Sequence, residues 1–279
     1  MGAALLITLR EGTEAALVIS ILMASLKQIG RSDAVRLVWV GSLSAIAVSI
    51  LVAAILFKAG ADFEGRAEQL FEGVVSLIAV GILTTMIFYM RRMGGRLRTE
   101  LSSRVGNALA TGGPSLAVLA FATVGKEGVE TALFVFAAAR GTAVGNGDIG
   151  QLVGALLGLA IASVLGAGLY LGAVRLNLRT FFTWTSLLIL VVAAGLLAFS
   201  IRELQEAGAL PLLRSALFDL SGTLPDDRGF GAILRALFGY ESAPTVLSSI
   251  GWIAYLAVTG ALWARPRTRS GASVPAPTT

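Results

Sequence analysis

Arg10-Glu11-Gly12-Thr13-Glu14 sits in the middle of an apolar run from about Gly2 to Leu26. The pattern returns as Lys126-Glu127-Gly128-Val129-Glu130, inside a second run from about Pro114 to Ala139. Each copy is a basic residue, Glu, Gly, one free position and Glu. A charged side chain at the centre of a bilayer helix costs about 2.5–3.5 kcal/mol on insertion scales, and such charges persist where they face a bundle interior or a polar pathway. Two copies of so expensive a pattern make chance a poor explanation.

The composition agrees with a bilayer setting. Of 279 residues 56% are hydrophobic and only 14% charged, and the mean hydropathy is +0.81. Apolar windows long enough to span a bilayer recur along the chain. A soluble fold would have to expose them. Cys and His are both absent. Disulfides, thiolate chemistry, imidazole bases, His- or Cys-built zinc sites and His-ligated haem are thereby excluded. The basic pI does not point to nucleic acid, because the basic residues cluster in short loops, where they report membrane orientation.

The expected fold is an all-α polytopic membrane protein of seven transmembrane helices, two inverted three-helix repeats plus one helix. The spans are Ala3–Leu26, Ala34–Phe57, Gln69–Met90, Pro114–Ala139, Ile149–Leu171, Phe181–Arg202 and Val246–Trp263. The transmembrane domain is then 1–264, with repeat one 3–90, repeat two 114–204 and the seventh helix 246–263. Alternate loops carry thirteen basic residues (Lys27, Arg31, Arg36, Arg91, Arg92, Arg96, Arg98, Arg104, Arg175, Arg179, Arg265, Arg267, Arg269) against six (Lys58, Arg66, Arg140, Arg214, Arg228, Arg235). The richer set belongs in the cytoplasm, which puts the N-terminus outside and the C-terminus inside the plasma membrane. No cleavable signal is expected, since only Met1 precedes the first run. The Arg/Pro/Ser/Thr-rich tail 265–279 reads as a disordered cytoplasmic end. Between spans six and seven, Gln205–Thr245 is partly apolar. Its Pro225-Asp226-Asp227 break separates two short helical patterns, expected along the outer interface or against the mouth of the bundle.

Span one and span four run in opposite directions, and Glu11-Gly-Thr-Glu-Ala-Ala-Leu17 aligns with Glu127-Gly-Val-Glu-Thr-Ala-Leu133. Inverted repeats place a substrate site near the midplane, at the repeat interface. Glu11 with Glu14, and Glu127 with Glu130, are spaced i,i+3, so each pair projects from one side of its helix. If the two helices cross, four carboxylates converge, with Gly12 and Gly128 letting the backbones approach. Arg10 and Lys126 stand i,i+4 to Glu14 and Glu130 and screen the charge of an empty site. Four Glu with two basic residues call for a multivalent cation. Hard oxygen ligands favour Fe3+, Mn2+, Mg2+ or Ca2+ over Cu+ and Zn2+.

The doubled motif resembles that of the iron permease family of oxidase-dependent iron transporters, which includes the fungal high-affinity permease and bacterial permeases of acid-induced uptake systems. Glu68-x-x-x-Glu72-Gly73, Met86-x-x-x-Met90, Leu204-Gln205-Glu206-Ala207-Gly208, and Gly239-Tyr240 with Pro244 fit the same resemblance, which covers the chain to about Trp263. Lys126 stands where that family often has Arg; it keeps the charge but loses the planar fork. The resemblance implies a permease rather than an enzyme, iron (Fe3+ or Fe2+) as cargo with no cofactor, and translocation through both motifs. It also implies an outer-face oxidase or peroxidase and an iron-binding protein as partners. Glu11, Glu14, Glu127 and Glu130 are the expected metal ligands. Glu68, Glu72, Glu203 and Glu206 are expected at the entrance, where carboxylates concentrate cations. Other readings are a permease for another divalent metal such as Mn2+ or Pb2+, and a metal-sensing membrane subunit without transport. A carboxylate di-iron oxidase is disfavoured, because such bundles draw on Glu-x-x-His motifs.

Overall fold

The structure is a computed structural model and describes residues 1–93, 97–141, 147–171 and 177–264. The expected tail, 265–279, and the loop residues Arg96 and Arg175 lie outside the described residues. Among the described residues the chain is helical: α1 (Gly2–Gln28), α2 (Val35–Asp62), α3 (Arg66–Met93), α4 (Leu97–Thr111), α5 (Gly113–Gly141), α6 (Gly147–Tyr170), α7 (Leu178–Glu206), α8 (Gly229–Phe238) and α9 (Val246–Ala264). Each of the seven expected spans corresponds to one of these helices. Five of them, α2, α3, α6, α7 and α9, are long and apolar enough to cross a membrane. The other two, α1 and α5, carry three charged residues each across their middles. At 1.5 Å per residue, the 27 residues of α1 reach about 40 Å, more than a bilayer core.

Small residues decide which helices touch. In α1 and α6, Gly12 lies against Ala162, Gly166 against Ala16, and Gly154 against the Met1 backbone, so the two helices run parallel. In α2 and α5, Gly41 lies against Ala117, Gly125 against Ala45, and Gly128 against Ser49, again in parallel. A Cβ at any of Gly41, Gly128 or Gly154 would overlap its neighbour. Without a hydrophobic drive between helices in lipid, such close contact is the main source of association. This corrects the expected role of Gly12 and Gly128. They do not bring α1 and α5 together; each seats its helix on a different partner. One residue beyond a Glu, a side chain is turned by roughly 100° around the helix, so a glycine there faces the neighbour rather than the carboxylate side.

α1 packs most extensively on α6, α2 on α5 and α3 on α7, while α9 lies on α7. α1 and α5 also meet. Ile7 shares one buried apolar cluster with Phe134, and Leu22 shares another with Leu116, so these two helices are antiparallel. The end of the bundle that holds Met1 therefore also holds Arg140 and the start of α3. The opposite end holds Lys27 and α4. There Leu101 and Val105 of α4 bury against Leu22, Leu26 and Leu116.

The segment after α7 differs from expectation in its first half. Leu212 to Phe218 forms no helix. Its backbone pairs instead with the chain ahead of α9, Leu217 N–H donating to Pro244 O (2.9 Å) and Val246 N–H to Ser215 O (3.0 Å). Buried Gln205 fastens both sides, donating to Leu212 O and accepting from Thr245 Oγ1, each at 2.7 Å. The second helical pattern is α8. It ends at Gly239, whose φ of 67° suits glycine, and which lies directly on Gly195 of α7.

Candidate functional site

α1 and α5 each turn one Glu face inward at the same depth. Glu11, Glu14 and Glu127 are all buried, and each offers a carboxylate oxygen within 4.8 Å of the others. Both Glu11 oxygens, and Oε2 of Glu127, are enclosed without a hydrogen-bond partner. Buried polar atoms are rarely left so, and each such group calls for an explanation. The expected fourth member, Glu130, does not come within that reach of all three. Its Oε1 is taken up by Lys126 Nζ at 2.9 Å, and its side chain is 14% exposed.

The two basic residues sit differently. Arg10 is fully buried, with Nε 3.2 Å from Glu14 Oε1. That is ion-pair distance, but the N–H does not point along a hydrogen bond. Lys126 reaches Glu127 Oε1 (3.3 Å) as well as Glu130, and its side chain is 58% exposed. Both i,i+4 pairs expected from the spacing are therefore present.

Apolar residues close the site along the α1–α5 axis. Towards the Met1 end lie Ala3, Ile7, Phe134 and Ala137, packed with Ala79 and Leu83 of α3 and Leu196 of α7. Towards the Lys27 end lie Val18, Leu22, Leu26, Leu116 and Ala120. Sideways, a cavity of about 440 Å³ between α2 and α6 reaches Glu11 and Glu127 past Thr8, Ser49 and Thr131.

The four expected entrance residues gather at the Met1 end. Glu72 is buried and pairs with Arg140 of α5 (Oε1 to Nε, 3.2 Å), whose guanidinium also lies over the Phe136 ring. On α7, Arg202 reaches Glu203 (3.3 Å), Glu206 (3.5 Å) and Glu241 (2.6 Å). Gln69 of α3 donates to Glu206 at 3.4 Å, and Glu68 is half-buried on the same helix. Burial pushes the Glu241 carboxyl above the ordinary carboxylate range, against the pull of Arg202. Arg140, Arg202 and Glu241 are not found by reading motifs one at a time. One signal was there: Arg202-Glu203-Leu204-Gln205-Glu206 repeats the basic-Glu-x-x-Glu spacing of the two motifs without their glycine.

The arrangement is a compact set of carboxylate oxygens with one enclosed and one half-open basic partner, between apolar layers at either end. Comparison with known proteins agrees in kind. Residues 1–266 match the iron permease FTR1 family. Over 273 residues the chain is 40% identical to the ferrous iron permease EfeU of Shigella sonnei (strain Ss046) and to that of Escherichia coli O157:H7, covering 96% of each chain. It is 37% identical to the ferrous iron permease EfeU of Yersinia pestis over 275 residues, 97% of this chain and 96% of the relative. No solved structure matches.

Proposed function

The chain belongs to the iron permease FTR1 family, and from that premise we propose that it imports Fe2+ across the plasma membrane through a midplane site formed by the two basic-Glu-Gly-x-Glu motifs. The observation that carries this reading is the buried trio Glu11, Glu14 and Glu127, with both Glu11 oxygens unpartnered. Hard carboxylate oxygens suit iron. The choice of Fe2+ over Fe3+ follows the named activity of the relatives. A Gln in place of any of the four Glu keeps the shape and removes a charge and a strong ligand.

The reading includes seven spans in two inverted repeats. Support comes from packing. The contacts Met1–Gly154 and Gly12–Ala162 between α1 and α6 have counterparts in Ala117–Gly41 and Gly128–Ser49 between α5 and α2. Adding 116 to each α1 number and subtracting 113 from each α6 number converts one pair of contacts into the other. These α1–α6 contacts thus map onto the α5–α2 contacts, which supports a pseudo-two-fold relating α1–α3 to α5–α7. In this reading the Met1 end faces outward, and Glu68, Glu72, Glu203 and Glu206 draw cations to it. The apolar layers on either side of the trio would then hold it closed to both faces, so that passage requires each layer to part in turn.

Initial uptake into proteoliposomes of the purified full chain tests this, with Fe2+, Fe3+ and Mn2+ offered separately. No oxidase or peroxidase is added, so the ion accepted is the ion this chain itself selects. Uptake of Fe2+ that falls to background in Glu11→Gln, Glu14→Gln, Glu127→Gln and Glu130→Gln, at equal protein in the membrane, is the expected result. Near-parental uptake in all four variants would make the pairs structural only.

A further inference from the structure

The two motifs match in sequence but not in surroundings. Arg10 is enclosed on every side, at 0% exposure, beside Glu14. Lys126 bridges Glu127 and Glu130, yet more than half of its side chain is open. Enclosure gives the guanidinium nowhere to go, and removing one partner of a buried pair leaves an uncompensated charge. The ammonium stands towards the outer side of α5, in line with exposed Val118, Ala122 and Val129, on a flexible four-carbon stem that protein does not enclose. It also uses the oxygens that an arriving cation needs: Oε1 of Glu127 and Oε1 of Glu130. The remaining oxygens of these two residues, both Oε2 atoms, are buried without partners.

We propose that Lys126 is a displaceable counter-ion: in the empty protein its ammonium holds Glu130 and one oxygen of Glu127, and it withdraws when the metal cation arrives, while Arg10 stays in place. This rests on the carboxylate reading above. It deepens that reading by giving the two basic residues different tasks. The cation first meets the trio Glu11, Glu14 and Glu127. Departure of the ammonium then releases the fourth carboxylate to it. When the cation leaves, the ammonium returns and restores the charge balance, so Glu127 and Glu130 of the empty site are not left without a neighbouring positive charge. Lys126 is thus a positioning residue that acts through Glu127 and Glu130. An arginine at this position would grip a carboxylate with a planar fork and release it less readily.

The test uses the full chain in nanodiscs under anaerobic conditions, with Fe2+ as the probe. The chain contains three lysines, Lys27, Lys58 and Lys126, so amine acylation followed by mass spectrometry reads Lys126 directly against two exposed references. Saturating Fe2+ is expected to raise Lys126 acylation severalfold while Lys27 and Lys58 stay constant. Calorimetric affinities should follow the order Lys126→Gln tighter than parent, and parent tighter than Lys126→Arg. The gain for Lys126→Gln should be about fivefold, the scale of one partly exposed ion pair. A merely structural lysine would not respond to the metal, and its removal would not tighten binding. Unchanged or reduced acylation, with Lys126→Gln binding no tighter than the parent, overturns the displacement. Glu11→Gln separates the two levels. If it loses Fe2+ binding while Lys126 of the parent does not respond to Fe2+, the carboxylate site stands and only the displacement falls. If it binds as the parent does, the carboxylate site itself is wrong and the displacement goes with it. The acylation arm needs no variant, so it decides the matter even where Lys126→Gln does not fold.

Discussion

Glu72 ties two helices together and, in the proposed reading, also stands at the entrance for the cation. It lies in the second turn of α3, buried, and its ion partner is Arg140 near the end of α5. Glu72→Gln keeps the shape and strands the guanidinium. Arg140→Gln does the reverse and leaves a carboxylate enclosed without its cation. Breaking a buried pair by removing one partner costs about 3–5 kcal/mol; since Arg140 keeps some exposure, about 2–3 kcal/mol is expected for either variant. The double variant should recover part of that loss, because the two residues share one interaction. Glu64→Gln, in the exposed turn before α3, should stay within about 0.5 kcal/mol. Thermal unfolding in detergent measures all four. Iron uptake should follow the same order, slower for Glu72→Gln than for Glu64→Gln; equal, small effects on uptake would remove Glu72 from the pathway. That Glu72 lies within a span could be read from its place inside an apolar run. That Arg140 holds it could not, because residues so far apart in the chain meet only once α3 and α5 are packed.

Gly41 and Gly81 separate the two uses of glycine in these helices. A Cβ at Gly41 would run into the Ala117 carbonyl and the Phe121 amide, both backbone, so α2 would have to back away from α5. Gly41→Ala should cost about 1–3 kcal/mol, the range for overpacking. Gly81 has nothing near its missing side chain. There Ala removes backbone freedom from the unfolded chain, and a gain of about 0.5–1 kcal/mol is expected. Circular dichroism on heating distinguishes the signs; a Gly41→Ala variant as stable as the parent would contradict the close α2–α5 contact. The same logic explains what could be read at this scale from the sequence. Long apolar runs announce α2, α3, α6, α7 and α9 through composition alone, and the doubled motif places α1 and α5. The partner of each glycine was not legible, since small-residue spacing says that a helix packs closely but not on which neighbour. α4 escaped because polar residues interrupt its run, although Leu101, Val105 and Leu109 recur every four residues. Leu212 to Phe218 looked helical by its leucines, yet Pro211 and Pro244 bracket a strap whose backbone bonds lie across the chain, beyond any local pattern.

At the scale of the whole molecule, the direction of import depends on which end of the bundle faces out. Lys27, Arg31, Arg36 and Arg104 lie at one end, and Asp62, Glu64 and Glu68 at the other. The excess of Arg and Lys in short loops favours the cytoplasm for the first end. In the proposed orientation the acidic end would meet the external medium, where carboxylates raise the local concentration of cations. The absence of Cys makes this directly measurable, because any thiol introduced is the only one present. Glu64→Cys and Ala209→Cys place it in exposed positions near the Met1 end; Ser32→Cys and Ser103→Cys place it in exposed positions near the Lys27 end. A membrane-impermeant maleimide added to intact spheroplasts should label the first two and spare the second two, which should become reactive only after permeabilisation. The reverse pattern would invert the protein and turn the acidic mouth into an exit. Labelling of one position from each pair would break the seven-span count instead, because α1 to α3 and α5 to α7 could then not cross the bilayer in opposite senses. In that case Glu11 and Glu127 would not lie at matched depths in the bilayer, and a single midplane site shared by the two motifs would lose its geometric basis.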